Sequence, residues 1–144
     1  MLLCDVNVLV YAYREDLERH REYATWLDEI VNGARPFGVS DLVLSGFVRV
    51  VTHPRVLHTP SRPESALAFV DAIWSAPSAV RITPGRRHWE IFTHLVRNCG
   101  ARGNLVPDAY LAALAIESNC EWITTDRDYA RFPGLRWRHP LEAS

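Results

Sequence analysis

The chain has 144 residues, 48% of them hydrophobic, and a formal net charge of -1. That is enough length and apolar content for one globular domain, 1–144, with its own core, and the near-neutral balance gives no global field of the kind that marks a nucleic-acid binder. No apolar run approaches the ~20 residues of a membrane span, and the start Met1–Cys4 lacks the basic and hydrophobic regions of a signal peptide.

Residues 2–6 read as a first strand. A helix follows from about Asn7 to Tyr13, and a longer one from about Asp16 to Val31. In the longer helix Tyr23, Trp26, Leu27 and Ile30 share one face, and Asn32-Gly33 is a good stop. Phe37-Gly38-Val39 is a second short strand. Ser40 or Asp41 caps a helix that runs to about Thr52, where His53-Pro54 breaks it. After a proline-containing loop, Ser61 is the expected cap of a helix with Pro63 in its first turn, running to Ala76. Val80 to Thr83 is a third strand. A helix over about Arg87–Cys99 is expected to turn Trp89, Phe92, Leu95 and Val96 inward. Gly100 and Gly103 bound a loop before the apolar helix Pro107–Ser118. Glu121 to Thr124 is a fourth strand, and Leu135 to Trp137 a short fifth. Strands separated by helices predict an α/β fold with a short, mostly parallel central sheet wrapped by helices.

Three cysteines without Cys-x-x-Cys spacing read as small apolar residues in a reducing cytosol, so the expected location is cytoplasmic. All 16 basic residues are arginine. Genome composition accounts for such a bias, yet its consequence is chemical: nothing in this chain can depend on a lysine. The histidines form no metal-ligand pattern. His88 and His94 fall on different faces of one helix, and His53 and His58 sit in the proline-containing loop.

Aspartates mark the places where chemistry is expected. Asp5 ends the first apolar run, Asp126 follows Trp122–Thr125 with Asp128 two residues on, and Asp108 follows Pro107 at the head of an apolar helix. In parallel sheets ligands bind beyond the carboxyl ends of the strands. Each acid taken singly can be a helix cap or a turn residue. Together at one rim, like charges repel, and a divalent ion resolves the repulsion. Carboxylates without a Cys/His set point to Mg²⁺, or Mn²⁺ in its place, and so to water activation at a phosphodiester. Rival phosphate chemistries lack their residues: Asn7 stands where a haloacid-dehalogenase phosphatase has its second acid, a receiver domain needs a lysine, and neither a P-loop nor a dinucleotide fingerprint is present.

Asp5-Val6-Asn7-Val8-Leu9-Val10-Tyr11-Ala12, Pro107-Asp108-Ala109-Tyr110-Leu111-Ala112-Ala113-Leu114-Ala115 and Thr124-Thr125-Asp126-Arg127-Asp128-Tyr129 resemble, in order, the three acidic motifs of PIN-domain nucleases, in particular the VapC-type toxins of type II toxin-antitoxin pairs. Phe132-Pro133-Gly134-Leu135 extends the likeness, which is collinear over essentially the whole chain. The resemblance implies a three-layer α/β/α PIN fold and a Mg²⁺-dependent endoribonuclease silenced by a cognate antitoxin. It implies metal-site roles for Asp5, Asp108 and Asp126, with Asp128 as an accessory catalytic acid, and a homodimer.

One position departs from the pattern. Where the family carries a glutamate on the helix after the second strand, this chain has Gly46. Asp41, five residues earlier, lies about 140° round the helix and is no simple replacement. Three or four carboxylates remain, which suits one ion better than two. A second reading is therefore a PIN-fold RNA-binding module with weak or lost catalysis. Arg127, Arg131, Arg136 and Arg138, with Tyr129, Phe132 and Trp137 among them, are candidate RNA contacts through phosphate and stacking; the other reading makes the aromatics core and the arginines ordinary surface. The loop with Arg55, His58 and Arg62 is a second candidate.

Overall fold

The computed structural model describes residues 1–142. In chain order its elements are β1 (Leu2–Cys4), α1 (Val6–Tyr13), α2 (His20–Val31), β2 (Phe37–Val39), α3 (Asp41–Thr52), α4 (Pro63–Trp74), β3 (Ala79–Arg81), α5 (His88–Cys99), α6 (Leu105–Glu117), β4 (Glu121–Ile123), a 3-10 helix (Arg127–Arg131) and β5 (Trp137–Arg138). The sheet order is β3-β2-β1-β4-β5 and every pair is parallel. Helix α1 contacts α2 and α3, α3 contacts α4, and α5 pairs with α6, so the helices form two sets, with α6 against β4. This is the α/β/α architecture that the sequence predicts.

The strands carry the first half of the core. Leu3, Phe37, Val39, Trp122 and Ile123 are buried, as continuous apolar runs in a doubly covered parallel sheet must be. Helix α6 supplies the second half with small side chains: Ala109, Ala112, Ala113 and Ala115 are fully buried around Leu114. Alanines let the helix backbone approach the sheet and α5 closely while keeping full helix propensity. Helix α5 ends at Gly100, whose φ of 59° puts it in the left-handed region that glycine enters without cost.

Several expected boundaries move, each for a local reason. Strand β1 stops at Cys4 because Asp5 caps α1, accepting from Val6 N with its own side chain. The longer helix starts at His20 rather than Asp16, and Arg14 binds Asp16 through both carboxylate oxygens in the turn before it. Ser61 does not cap α4; Arg62 holds that position and Ser61 Oγ accepts from Arg14 instead. Helix α6 begins two residues earlier than Pro107, and β5 is Trp137–Arg138 instead of Leu135–Trp137. Trp89, expected inward, is 67% exposed. Among the described residues no helix is long and apolar enough to cross a membrane.

Candidate active site

The register of β1 against β4 decides where the first acid sits. Leu2, Leu3 and Cys4 pair with Glu121, Trp122 and Ile123. Asp5 and Thr124 are the next residues on each strand and so emerge side by side beyond the carboxyl ends. The pairing continues one step further, with Asp5 N donating to Ile123 O at 2.8 Å. Thr124 Oγ1 donates to Asp5 Oδ2 at 2.6 Å, and Val6 N donates to Asp5 Oδ1 at 2.7 Å. The same hydroxyl accepts from Asp126 N at 3.0 Å and from Asn7 Nδ2 at 3.4 Å. One donor and two acceptor sites exhaust what a hydroxyl can offer, so Thr124, completely buried, is a junction with no spare valence. Asn7 closes the loop by accepting from Thr125 N at 3.3 Å.

Asp126 caps the 3-10 helix: its Oδ1 accepts from Asp128 N at 2.9 Å. Asp108 lies in the first turn of α6, where the helix dipole favours an anion. Its Oδ1 accepts from the Tyr129 hydroxyl at 3.2 Å, across from the 3-10 helix. Asp5, Asp108 and Asp126 thus come to one rim, and their electrostatics show that they feel one another. Burial pushes the Asp5 carboxyl up to about 6; the bonds from Thr124 and Val6 oppose this, and the charges of Asp108 and Asp126 reinforce it. Asp108 is also raised, first by burial, then by Asp126 and Asp128, against the pull of Tyr129 and Arg131. Asp128 stands apart from the other three: its side chain is exposed and leans on Arg131 at 3.8 Å.

The cap readings of Asp5 and Asp126 are met by the bonds from Val6 N and Asp128 N. Asp5 is a cap and Asp126 is a cap, yet both leave their carboxylates at the shared rim. Thr124, Asn7 and the Tyr129 hydroxyl complete the network, and single-residue reasoning misses them. Thr124 could have been found from the strand register, because a parallel partner of Asp5 has to emerge beside it.

Gly46 lies in α3 against the residue that follows Asp5. A Cβ built there would stand 3.1 Å from Val6 Cγ2. The glycine therefore packs beside the residue that follows Asp5, and it contributes no acid. Asp41, at the head of α3, is exposed. Among the described residues, no group of three or more Asp, Glu, His or Cys side chains is arranged to hold a metal ion as it stands.

The candidate RNA contacts divide into core aromatics and surface arginines. Tyr129 and Phe132 are buried, so their faces pack in the core and are closed to a base. Arg127 pairs with Glu142, Arg138 with Glu121, and Arg136 donates to Asn119. Arg131 leans on Asp128, and its charge opposes the rise of the Asp108 pKa.

The PIN domain profile matches residues 2–135. VapC ribonuclease Mb2897 of Mycobacterium bovis is 50% identical over 142 residues, which are 99% of this chain and 97% of that protein. The chain belongs to the PIN-domain family, among the VapC proteins. Ribonuclease VapC25 of Mycobacterium tuberculosis is a further relative, 39% identical over 140 residues, covering 97% of this chain and 99% of the relative. The fold of this PIN domain also matches solved structures at low identity. VapBC2 of Rickettsia felis, bound to a DNA fragment from its promoter, superposes with a TM-score of 0.67 at 18% identity, covering 96% of this chain and 97% of that one. Mycobacterium tuberculosis VapC20, described as a Sarcin-Ricin loop cleaving toxin, gives 0.63 at 14%, covering 94% and 99%.

Proposed function

We propose that this VapC-type PIN domain is a metal-dependent endoribonuclease, the toxin of a toxin-antitoxin pair, with Asp5, Asp108 and Asp126 as its metal site and Asp128 as an accessory acid. The observation that carries the reading is the convergence of Asp5, Asp108 and Asp126 at one rim, where Asp108 and Asp126 both raise the proton affinity of a nearly buried Asp5. The names of the relatives, ribonucleases that match almost end to end, support the same activity.

The donor set fits a hard cation such as Mg²⁺ or Mn²⁺. It consists of oxygens, and Oδ2 of both Asp108 and Asp126 accepts no hydrogen bond among the described residues. When bound, such an ion supplies the positive charge that acidifies water and steadies a phosphodiester. The rest of the work falls to the chain. Thr124 and Val6 favour the ionised form of Asp5 against the cost of its burial. Tyr129 does the same for Asp108. Arg131, beside Asp128 and felt by Asp108, is placed to meet the charge of a phosphate that approaches four acids. Gly46, on the α3 side, leaves the site better suited to one ion than to two.

The partners in this reading are RNA, a second copy of the chain and a cognate antitoxin; the solved VapBC assemblies that share the fold support the last of these. The location is the cytoplasm, and residues 1–144 form one domain. The test is cleavage of RNA by the antitoxin-free protein with Mg²⁺ or Mn²⁺, against EDTA and against Asp5→Asn. A DNA panel run beside it checks the substrate class, and light scattering checks the dimer. Gly46 favours a second reading, an RNA-binding module with weak or lost catalysis. Under that reading RNA binding survives EDTA and no cleavage appears with either metal.

A further inference from the structure

We propose that Tyr129 is a positioning residue, whose hydroxyl fixes the Asp108 carboxylate on α6 to the 3-10 helix that carries Asp126 at its head. The inference rests on the reading of Asp108 as a site acid. The Tyr129 ring is buried, with its centroid 5.5 Å from that of Trp122 and 5.8 Å from that of Phe132. A phenylalanine fills the same space, so packing alone does not call for the oxygen. A phenol left without a partner there is a net loss to the fold. Its partner among the described residues is Asp108 Oδ1, 3.2 Å away and 21 positions distant in sequence.

Asp108 is the acid with most need of such a hold. Asp5 accepts two hydrogen bonds and Asp126 accepts one from the backbone at Asp128. Asp108 is half-buried on a helix turn, and the Tyr129 hydroxyl is the one bond its carboxylate accepts among the described residues. An ionised carboxylate only accepts, so in this pair the phenol hydroxyl is the donor. Tyr129 N also donates to Asp126 O at 3.4 Å. One residue thus fastens the acid of α6 to the segment of the third acid through Oδ1, while Oδ2 accepts no hydrogen bond among the described residues.

The test is Tyr129→Phe, which removes the oxygen and keeps the ring. Calorimetric titration of the metal-free protein with Mn²⁺ is expected to show affinity weakened about 10- to 100-fold, the size found when an outer-shell partner of a ligand is removed. The same substitution in an Asp108→Asn background is expected to add nothing, because the effect passes through Asp108. With RNA, kcat falls while KM stays close to the parent value. A crystal structure of the metal-free variant is expected to show Asp108 in more than one rotamer, against one in the parent. Unchanged Mn²⁺ affinity with an ordered Asp108 overturns the proposal, as does an equal further loss in the Asp108→Asn background. A fall in Tm that accounts for the lost activity assigns the hydroxyl to stability and overturns it too. If the parent protein itself binds no Mn²⁺, the metal reading fails, and the Asp108 rotamers alone then decide the role of Tyr129.

Discussion

On the β1–β4 flank of the sheet's carboxyl rim, Asp5, Asp108 and Asp126 each accept at least one hydrogen bond that fixes the carboxylate; on the α3 flank, where a Cβ would stand 3.1 Å from Val6 Cγ2, the chain offers Gly46. The first flank is held, with no bond to spare at Asp108 or Asp126. Removing any one donor leaves a buried or half-buried acid short of a partner. The second is bare at Gly46, and Asp41, the first residue of α3, is exposed. The difference teaches that acids at a rim have to be held against their own repulsion. The hold is local chemistry: strand register for Asp5, a turn cap for Asp126, a reach from a neighbouring element for Asp108.

The comparison breaks first at the acids themselves. Asp5→Asn and Asp108→Asn are expected to reduce RNA cleavage by more than the roughly 10- to 100-fold typical of an outer-shell partner. Cleavage assays on purified variants of confirmed Tm check this. If either variant cleaves within a factor of about 10 of the parent, below that range, the held flank is not the catalytic one.

Thr124→Val comes next. It keeps the shape of the side chain and removes the donor to Asp5 and the acceptor for Asp126 N. Cleavage is expected to drop about 10- to 100-fold, with stability lowered by about 1–3 kcal/mol from the buried groups left unpaired. Denaturant titration and kinetics together check both numbers. A variant that loses stability but cleaves normally would reduce Thr124 to a packing role.

The held flank also costs stability, and the cost has a pH signature. Burial pushes the folded-state pKa of Asp5 up to about 6, above the ordinary carboxyl value of 3.8. A raised carboxyl binds its proton more tightly when folded, so its contribution is fully present below the unfolded value and is lost as pH rises towards and through 6. The metal-free protein is therefore expected to lose stability between pH 4 and pH 7 by an amount of the order of 3 kcal/mol from this group. Asp5→Asn is expected to flatten that slope while abolishing cleavage. Urea melts in EDTA across that range measure it; a parent protein that gains stability over the same interval contradicts the burial argument.

On the bare flank, Gly46→Glu tests whether an acid there completes the site. A helical glycine costs up to about 1 kcal/mol relative to a good helix former. The 3.1 Å approach to Val6 Cγ2 opposes that gain. Stability is therefore expected to change by less than ~1 kcal/mol, while calorimetry shows Mn²⁺ stoichiometry or affinity rising. No change in either would mean that α3 is indifferent to the site. The smallest effect is expected at Asp128→Asn, because an exposed ion pair of the Asp128–Arg131 kind is worth about 0–1 kcal/mol. Its cleavage rate separates an accessory acid from a turn residue.

Much of this was legible in the sequence. The alternating strands and helices and the parallel sheet follow from periodicity and caps; the grouping of the three acidic motifs, and the three-layer fold, follow from the resemblance to the PIN family. What was not legible was relational. That Asp5 lies beside Thr124 depends on a register between segments more than a hundred residues apart. Tyr129 reads equally well as a stacking surface or as core; its burial and its bond to Asp108 decide the matter, and they depend on how α6 packs. Trp89 fits an inward face of its helix by spacing, yet it stands outward, because α5 turns Leu95 and His88 to the core, with His88 Nε2 bonded to Tyr110 O at 2.9 Å. Gly46 was legible as an absence, and the structure adds its distance from Val6.

The central claim is that the held acids form a working, metal-dependent cleavage site. The most direct measurement is single-turnover RNA cleavage by the antitoxin-free protein over a Mg²⁺ or Mn²⁺ titration, with Asp5→Asn alongside. Cleavage that rises saturably with metal, vanishes in EDTA and is lost in Asp5→Asn is the expected result. RNA binding without cleavage at any metal concentration, or cleavage that persists in EDTA or in Asp5→Asn, contradicts it.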